Sequence, residues 1–174
     1  MADFAPAVQN TELWEGGYAN LSGDSGGETY RGISRHNWPN WSGWTTIDAA
    51  KSASLFPKSL DADTNLQSLV VDFYRQNYWK FDGITDQAVA NRIFDLSVHV
   101  GSVHAMRIVQ LCVNVQVDGC YGPHTEKAIN EWPTSKGSLL SAIRFKAEQY
   151  HRAIVSVHPE DAKFLRDWLR RDDS

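Results

Sequence analysis

No stretch of the chain approaches the roughly 20 consecutive apolar residues a membrane-spanning helix requires, so insertion into a bilayer is not expected. A basic excess is missing too, since 17 Lys and Arg face 21 Asp and Glu for a net charge of -4. Nucleic-acid binders ordinarily carry surplus positive charge to neutralise phosphates, so DNA and RNA are not expected partners. Any anionic substrate has to be held by local groups. Cysteine is scarce: Cys112 and Cys120 make no disulfide framework and are expected as two buried thiols. The opening MADFAPAVQNTELW has neither a basic region nor an apolar core, which predicts no secretory signal and synthesis in the cytoplasm. His-Glu-x-x-His, paired Cys-x-x-Cys and phosphate-loop patterns are all lacking, so neither a metal nor a cofactor is expected. His99 and His104 read as packing or surface residues rather than ligands.

What the 174 residues do contain is enough apolar matter, 42%, for one compact domain or two small halves sharing a core. The periodicity is mostly helical. Phe4, Val8, Thr11 and Glu15 share one face of a helix over 5–15, which Gly16 and Gly17 end. Residues 18–33 are rich in turn formers and predict a short β-hairpin or a tight loop. Trp38, Trp41 and Trp44 stud an irregular stretch, and a helix over 47–56 ends at Pro57. Leu66, Leu69, Val70, Phe73 and Tyr74 predict a helix over 65–78. Further helices are expected over 86–100, 104–113 and 139–157, the last with Leu139, Ile143, Tyr150 and Ile154 inward. Pro123 opens another at a first helical position, where its missing N–H costs nothing. The last short helix carries Phe164, Leu165, Trp168 and Leu169. The fold class is therefore mainly α, with a soft boundary near Gly101.

The chemistry concentrates in Glu15-Gly-Gly-Tyr18, Asp24-Ser-Gly-Gly-Glu-Thr29 and Gly32-Ile33. Glycoside hydrolysis needs a carboxylic acid that keeps its proton near neutral pH and a polar partner for the other face of the sugar. Glu15 would close a helix, where the dipole disfavours a carboxylate, and would adjoin Trp14 and apolar neighbours. Both influences raise a carboxyl pKa. Gly16 and Gly17 would leave room for a polymer. Asp24 sits in a turn able to fold over the same cleft, and Thr29 can orient a water. Glu28 reads as an exposed turn charge. Tyr18, Tyr30, Trp38 and Trp41 are candidate substrate-binding residues, because aromatic rings offer flat apolar faces to sugars. Trp44 shares that chemistry, with packing of the loop onto the helices as the alternative for each tryptophan.

Gly23-Asp-Ser-Gly-Gly27 also imitates the signature around a serine-protease nucleophile and the loose Gly-x-Ser-x-Gly elbow. The protease arrangement needs a histidine before the serine, but all six histidines follow Ser25. The elbow needs a strand–turn–helix in an alternating α/β chain, which the pattern does not give.

Glu15-Gly-Gly-Tyr18 followed by Asp24-x-Gly-Gly-x-Thr29-x-x-Gly-Ile33 resembles the N-terminal signature of glycoside hydrolase family 108, the lysozyme-like N-acetylmuramidases of phage endolysins and secretion-activating muramidases. Phe94-Asp-Leu, Gly101 and Val117-Asp-Gly…Gly122-Pro-x-Thr125 are similar to the peptidoglycan-binding region that usually follows. The resemblance covers roughly residues 8–169. It implies a lysozyme-like α+β fold, with 1–98 as a catalytic region and 99–174 as a helical wall-binding region. It also implies hydrolysis between N-acetylmuramic acid and N-acetylglucosamine with Glu15 as general acid, and matches Asp24 and Thr29 to the family's second cluster. Ser25 stands where proline is common, and Tyr30-Arg31 is bulkier than usual. The implied partner is the peptidoglycan glycan strand, cut by a monomer that reaches the periplasm through a holin or a dedicated export route, an antibacterial activity of the bacteriophage type. A lytic transglycosylase, a chitin-directed hydrolase and a non-catalytic wall-binding module are the competing expectations.

Overall fold

The computed structural model describes residues 1–12, 16–20, 27–133, 135 and 137–173. Eight α-helices and one three-stranded antiparallel sheet are formed among them: α1 (Phe4–Glu12), β1 (Tyr18–Ala19), β2 (Thr29–Tyr30), β3 (Ile33–Ser34), α2 (Gly43–Ala50), α3 (Thr64–Tyr78), α4 (Gln87–Val100), α5 (Ser102–Val113), α6 (Pro123–Asn130), α7 (Leu139–Val157) and α8 (Ala162–Asp173). Short 3-10 helices at Lys58–Ala62 and Pro159–Asp161 precede α3 and α8. The expected mainly helical, lysozyme-like class holds, and the region expected as a hairpin or loop is a three-stranded meander. Among the described residues no helix is long and apolar enough to cross a membrane.

The chain forms two compact units, Val8–Trp79 and Met1–Ala7 with Lys80–Ser174. Helices α4 and α5, which flank Gly101, belong to the same unit.

In the unit Val8–Trp79, α3 forms where its apolar residues recur: Leu66, Val70, Phe73 and Tyr74 are buried, and Asp63 caps the start by accepting the Leu66 N–H at 2.9 Å. Helix α2 departs from expectation. It spans Gly43–Ala50, several residues upstream of the predicted 47–56. Residues 51–55 are exposed, Leu55 at 70%, so no buried face holds a helix there, and the Lys51 N–H closes α2 on the Asp48 carbonyl at 3.4 Å.

In the other unit, α4 buries Val89, Ile93, Phe94 and Leu96, and Asp86 caps it through the Ala88 and Val89 N–H groups. Pro123 opens α6 as expected. Helix α7 has the predicted bounds but a different buried stripe. Leu139, Ile143, Ala147 and His151 face inward at four-residue intervals, leaving Tyr150 and Ile154 half-buried. The cysteines are corrected as well. Both are free, but only Cys112 is partly buried, which raises its thiol to about 11, while Cys120 is exposed. Cys120 sits in the turn after Asp118, held open to solvent by the Asp118 carboxylate accepting its N–H at 2.8 Å.

His151 belongs to a buried polar cluster joining α4, α7 and α8. Its Nδ1 lies 2.7 Å from Asp172 Oδ2; Arg92 donates to Asp172 and to Asp95 (3.0 Å); Arg171 donates to Asp95 (2.9 Å). His99 packs beside it, 4.9 Å from the His151 ring and 6.3 Å from Trp168. Burial, then the Arg171 and His151 charges, push His99 down from 6.5 to about 3. The unfolded chain binds a proton at this position below pH 6.5 and the folded one only near pH 3, so stability falls as pH drops through that window. Two pH units of linkage correspond to about 2–3 kcal/mol lost between pH 6.5 and pH 4.5. Urea midpoints at pH 7 and pH 4.5 check this. The drop should shrink in His99→Gln, and an equal drop in both proteins removes His99 as the cause.

Candidate active site

The small sheet positions the signature residues. Antiparallel pairing sets Tyr18 opposite Tyr30, Ala19 opposite Thr29, and Thr29 opposite Ser34. Successive strand residues point to opposite faces. Tyr30 is fully buried, so its neighbour Thr29, half-buried, turns to the other face of the central strand. Arg31 and Gly32 both take positive φ, at 45° and 76°, which is what the two-residue turn between β2 and β3 demands.

Glu28 is a hub rather than the exposed turn charge expected. Its side chain is 11% exposed, and its carboxylate lies 2.7 Å from Arg35 Nε and 2.8 Å from Lys51 Nζ. The Tyr18 hydroxyl donates to it at 2.9 Å. Arg35 and Lys51 also share Asp48, each at 2.7 Å, and the Arg35 guanidinium lies 4.4 Å above the Trp44 ring. Burial works to raise the Glu28 pKa, but Lys51, Tyr18 and Arg35 outweigh it and hold the group below the usual carboxylate range. A carboxylate so neutralised is a poor proton donor at neutral pH. Tyr18 rests edge-on against Phe56, with ring centroids 4.7 Å apart, and its hydroxyl is raised by burial and by Glu28.

Trp38-Pro39-Asn40-Trp41 is a β-turn closed by the Trp41 N–H on the Trp38 carbonyl at 3.2 Å, with proline at the position its fixed φ suits. The same carbonyl accepts the Trp44 indole N–H at 2.8 Å. The Trp41 ring lies across Gly43, where a Cβ would fall 2.3 Å from it, so only glycine fits there. Between this turn and α3 opens a pocket of about 470 Å³ lined by both. Leu69 and Phe73 form its apolar floor, and Asp72 and Gln76 flank them on the same helical face.

The expected site residues are sorted by this geometry. Glu15 and Asp24 lie outside the described residues, as does most of the Gly23–Gly27 segment. Thr29 stands at mid-sheet. Tyr30 is corrected: with no exposure, its hydroxyl donating to the Leu60 carbonyl at 3.3 Å and accepting from Gln67 at 2.8 Å, it packs the interior and offers no face to a sugar. Trp44, 3% exposed, packs likewise. Trp41 is half-buried and gives its N–H to the Leu69 carbonyl at 3.4 Å. Trp38 keeps 37% of its surface exposed while its ring stands perpendicular to that of Phe73, with centroids 4.9 Å apart. Sequence reasoning did not bring Asp72, Gln76 and Asn37 together at one pocket. Asp72 and Gln76 could be placed beside Leu69 and Phe73 on a helical wheel, but no local pattern announces that the tryptophan turn lies against that face.

Comparison with known proteins agrees with this architecture. No curated protein sequence matches the chain. Among solved structures, Brucella abortus SagA has a similar fold, with a TM-score of 0.61 over 97% of this chain and 92% of that one at 21% sequence identity. The family model for a predicted peptidoglycan domain matches residues 104–173. The model for glycosyl hydrolase 108 matches residues 8–101, more than half of the chain. The chain belongs to the glycosyl hydrolase 108 family and is a glycoside hydrolase acting on peptidoglycan.

Proposed function

We propose that the protein is an N-acetylmuramidase, hydrolysing the bond between N-acetylmuramic acid and N-acetylglucosamine with Glu15 as the general acid. The family match over residues 8–101 carries this reading, because it spans the Glu15-Gly-Gly and Asp24…Thr29 signatures together. Two features support it. Glu28, one of the three carboxylates in the signature beside Glu15 and Asp24, is held as an anion by two cations and leaves the acid role to another group. Thr29 sits on the face of the central strand away from the buried Tyr30, where a polar side chain can order water. In the mechanism, Glu15 protonates the glycosidic oxygen, and Asp24 with Thr29 positions the water or steadies the developing positive charge. Residues 1–98 would carry the catalysis and 99–174 the wall binding, with the monomer reaching the wall through a holin or a dedicated export route.

Mass spectrometry of fragments released from purified sacculi tests the reaction. Reducing N-acetylmuramic acid ends, one water heavier than anhydro ends, are expected. Anhydro ends would make the protein a lytic transglycosylase. Binding to sacculi with no release would make it a wall-binding module, and preference for chitin would make it a chitin-directed hydrolase.

A further inference from the structure

The pocket between the tryptophan turn and α3 brings together two features that sugar sites use. One is a flat aromatic face at an opening. Trp38 is more than one-third exposed at the mouth of the pocket, and no described residue takes its indole N–H. Its ring stands perpendicular to that of Phe73, with centroids 4.9 Å apart, and its carbonyl is held by Trp44, so the ring is positioned rather than loose. The other is a set of polar side chains that no described residue engages. Among the described residues, Asp72 has no cation partner, and the side chains of Asn37, Asn40 and Gln76 make no hydrogen bond. Two other surface carboxylates of the same unit meet cations, Asp48 with Arg35 and Lys51 and Asp61 with Arg31, and a third, Asp63, caps α3. The volume, about 470 Å³, falls within the roughly 300–1,000 Å³ of small-molecule sites.

We propose that this pocket is a glycan subsite for N-acetylglucosamine, in which Trp38 stacks on the pyranose ring, Asn37 and Gln76 meet its hydroxyl and acetamido groups, and Asp72 discriminates against the muramic acid unit. The choice of ligand rests on the reading of the protein as a wall-glycan hydrolase; the choice between the two sugars rests on Asp72. N-acetylglucosamine is uncharged, whereas the muramic unit carries a lactyl arm that ends in a carboxylate or in an acidic peptide. An uncompensated carboxylate at the pocket repels that arm, and repulsion of the wrong partner is as much a source of specificity as attraction of the right one. Asp72 is a specificity residue here and takes no part in bond cleavage.

The test is tryptophan fluorescence titration of the full chain with chitobiose and with N-acetylmuramyl dipeptide, alongside the KM and kcat for sacculi. Chitobiose should bind wild type at least roughly tenfold more tightly than the muramyl dipeptide. Trp38→Ala should weaken chitobiose and raise KM by roughly tenfold with little change in kcat, the pattern of lost uniform binding. Asp72→Asn should leave chitobiose binding in place and close most of the gap to the muramyl dipeptide at low salt. Asp72 and Gln76 are exposed and unbonded, so Asp72→Asn and Gln76→Ala fold whatever becomes of Trp38→Ala. Equal binding of the two ligands by wild type, or chitobiose affinity unchanged in both Trp38→Ala and Gln76→Ala, overturns the subsite. An active enzyme with those results keeps the muramidase reading and loses only the subsite. An inactive protein that still binds chitobiose through Trp38 does the reverse.

Discussion

Glu15→Gln is expected to abolish fragment release from sacculi while leaving the far-ultraviolet circular dichroism and the urea midpoint unchanged. The substitution keeps size and polarity and removes only the proton that the leaving oxygen must receive. Positioned general acids contribute about 10²–10⁴-fold, so kcat should fall by that factor with KM nearly constant. Asp24→Ala should cost less if Asp24 only orders water, whereas equal losses would argue for two essential carboxylates. Glu28→Gln provides the contrast. Glu28 is committed to Arg35, Lys51 and Tyr18, so its replacement should disturb the fold around Asp48 before it touches the chemistry. Full activity in a folded Glu15→Gln protein would remove the mechanism.

The elements most legible in the sequence are those whose information is local. The apolar period marks helices α3, α4 and α7 in the sequence, and all three begin and end within a residue of the expected bounds, while Pro123 opens α6 as expected. Elements decided by tertiary packing were not. Residues 51–55 have a sequence compatible with a helix but are exposed, with no surface to bury it against. On α7, the inward stripe runs through Ala147 and His151 because Asp172 of α8 receives the imidazole, a partner 21 residues away that no periodicity announces. The same limit governs the site. Tyr30 and Trp38 look alike as aromatic candidates. The alternation of the strand buries the first under Leu60 and Gln67, and the proline turn leaves the second at the surface. Glu28 read as exposed because its two cations come from β3's far side and from the end of α2, 7 and 23 residues along the chain.

Arg92→Met is expected to be the most destabilising single change in the unit that holds α4 to α8. Arg92 is 4% exposed, and it donates to the Asp95 carboxylate, the Arg171 carbonyl and the Asp172 carboxylate. Taken alone, such a buried pair is weak evidence of net stability, because desolvating both charges costs about as much as their attraction returns. Removing one partner is different. Asp172, 2% exposed, would keep His151 at one oxygen but lose its guanidinium at the other, and leaving a buried charge uncompensated costs about 3–5 kcal/mol. Asp95 would still hold Arg171, so the loss should concentrate on Asp172 and on the α8 segment that carries it. Urea unfolding should show a lower midpoint with little change in slope, and amide exchange should rise first along residues 162–173. The decisive comparison is the double variant Arg92→Met with Asp172→Asn. If the cost of the single change is an orphaned carboxylate, neutralising that carboxylate recovers part of it, and the two effects fall short of additivity by at least about 1 kcal/mol. A single variant within about 1 kcal/mol of wild type, or strictly additive losses, would mean that the last helix is held by its apolar contacts and that the ionic cluster is incidental to it.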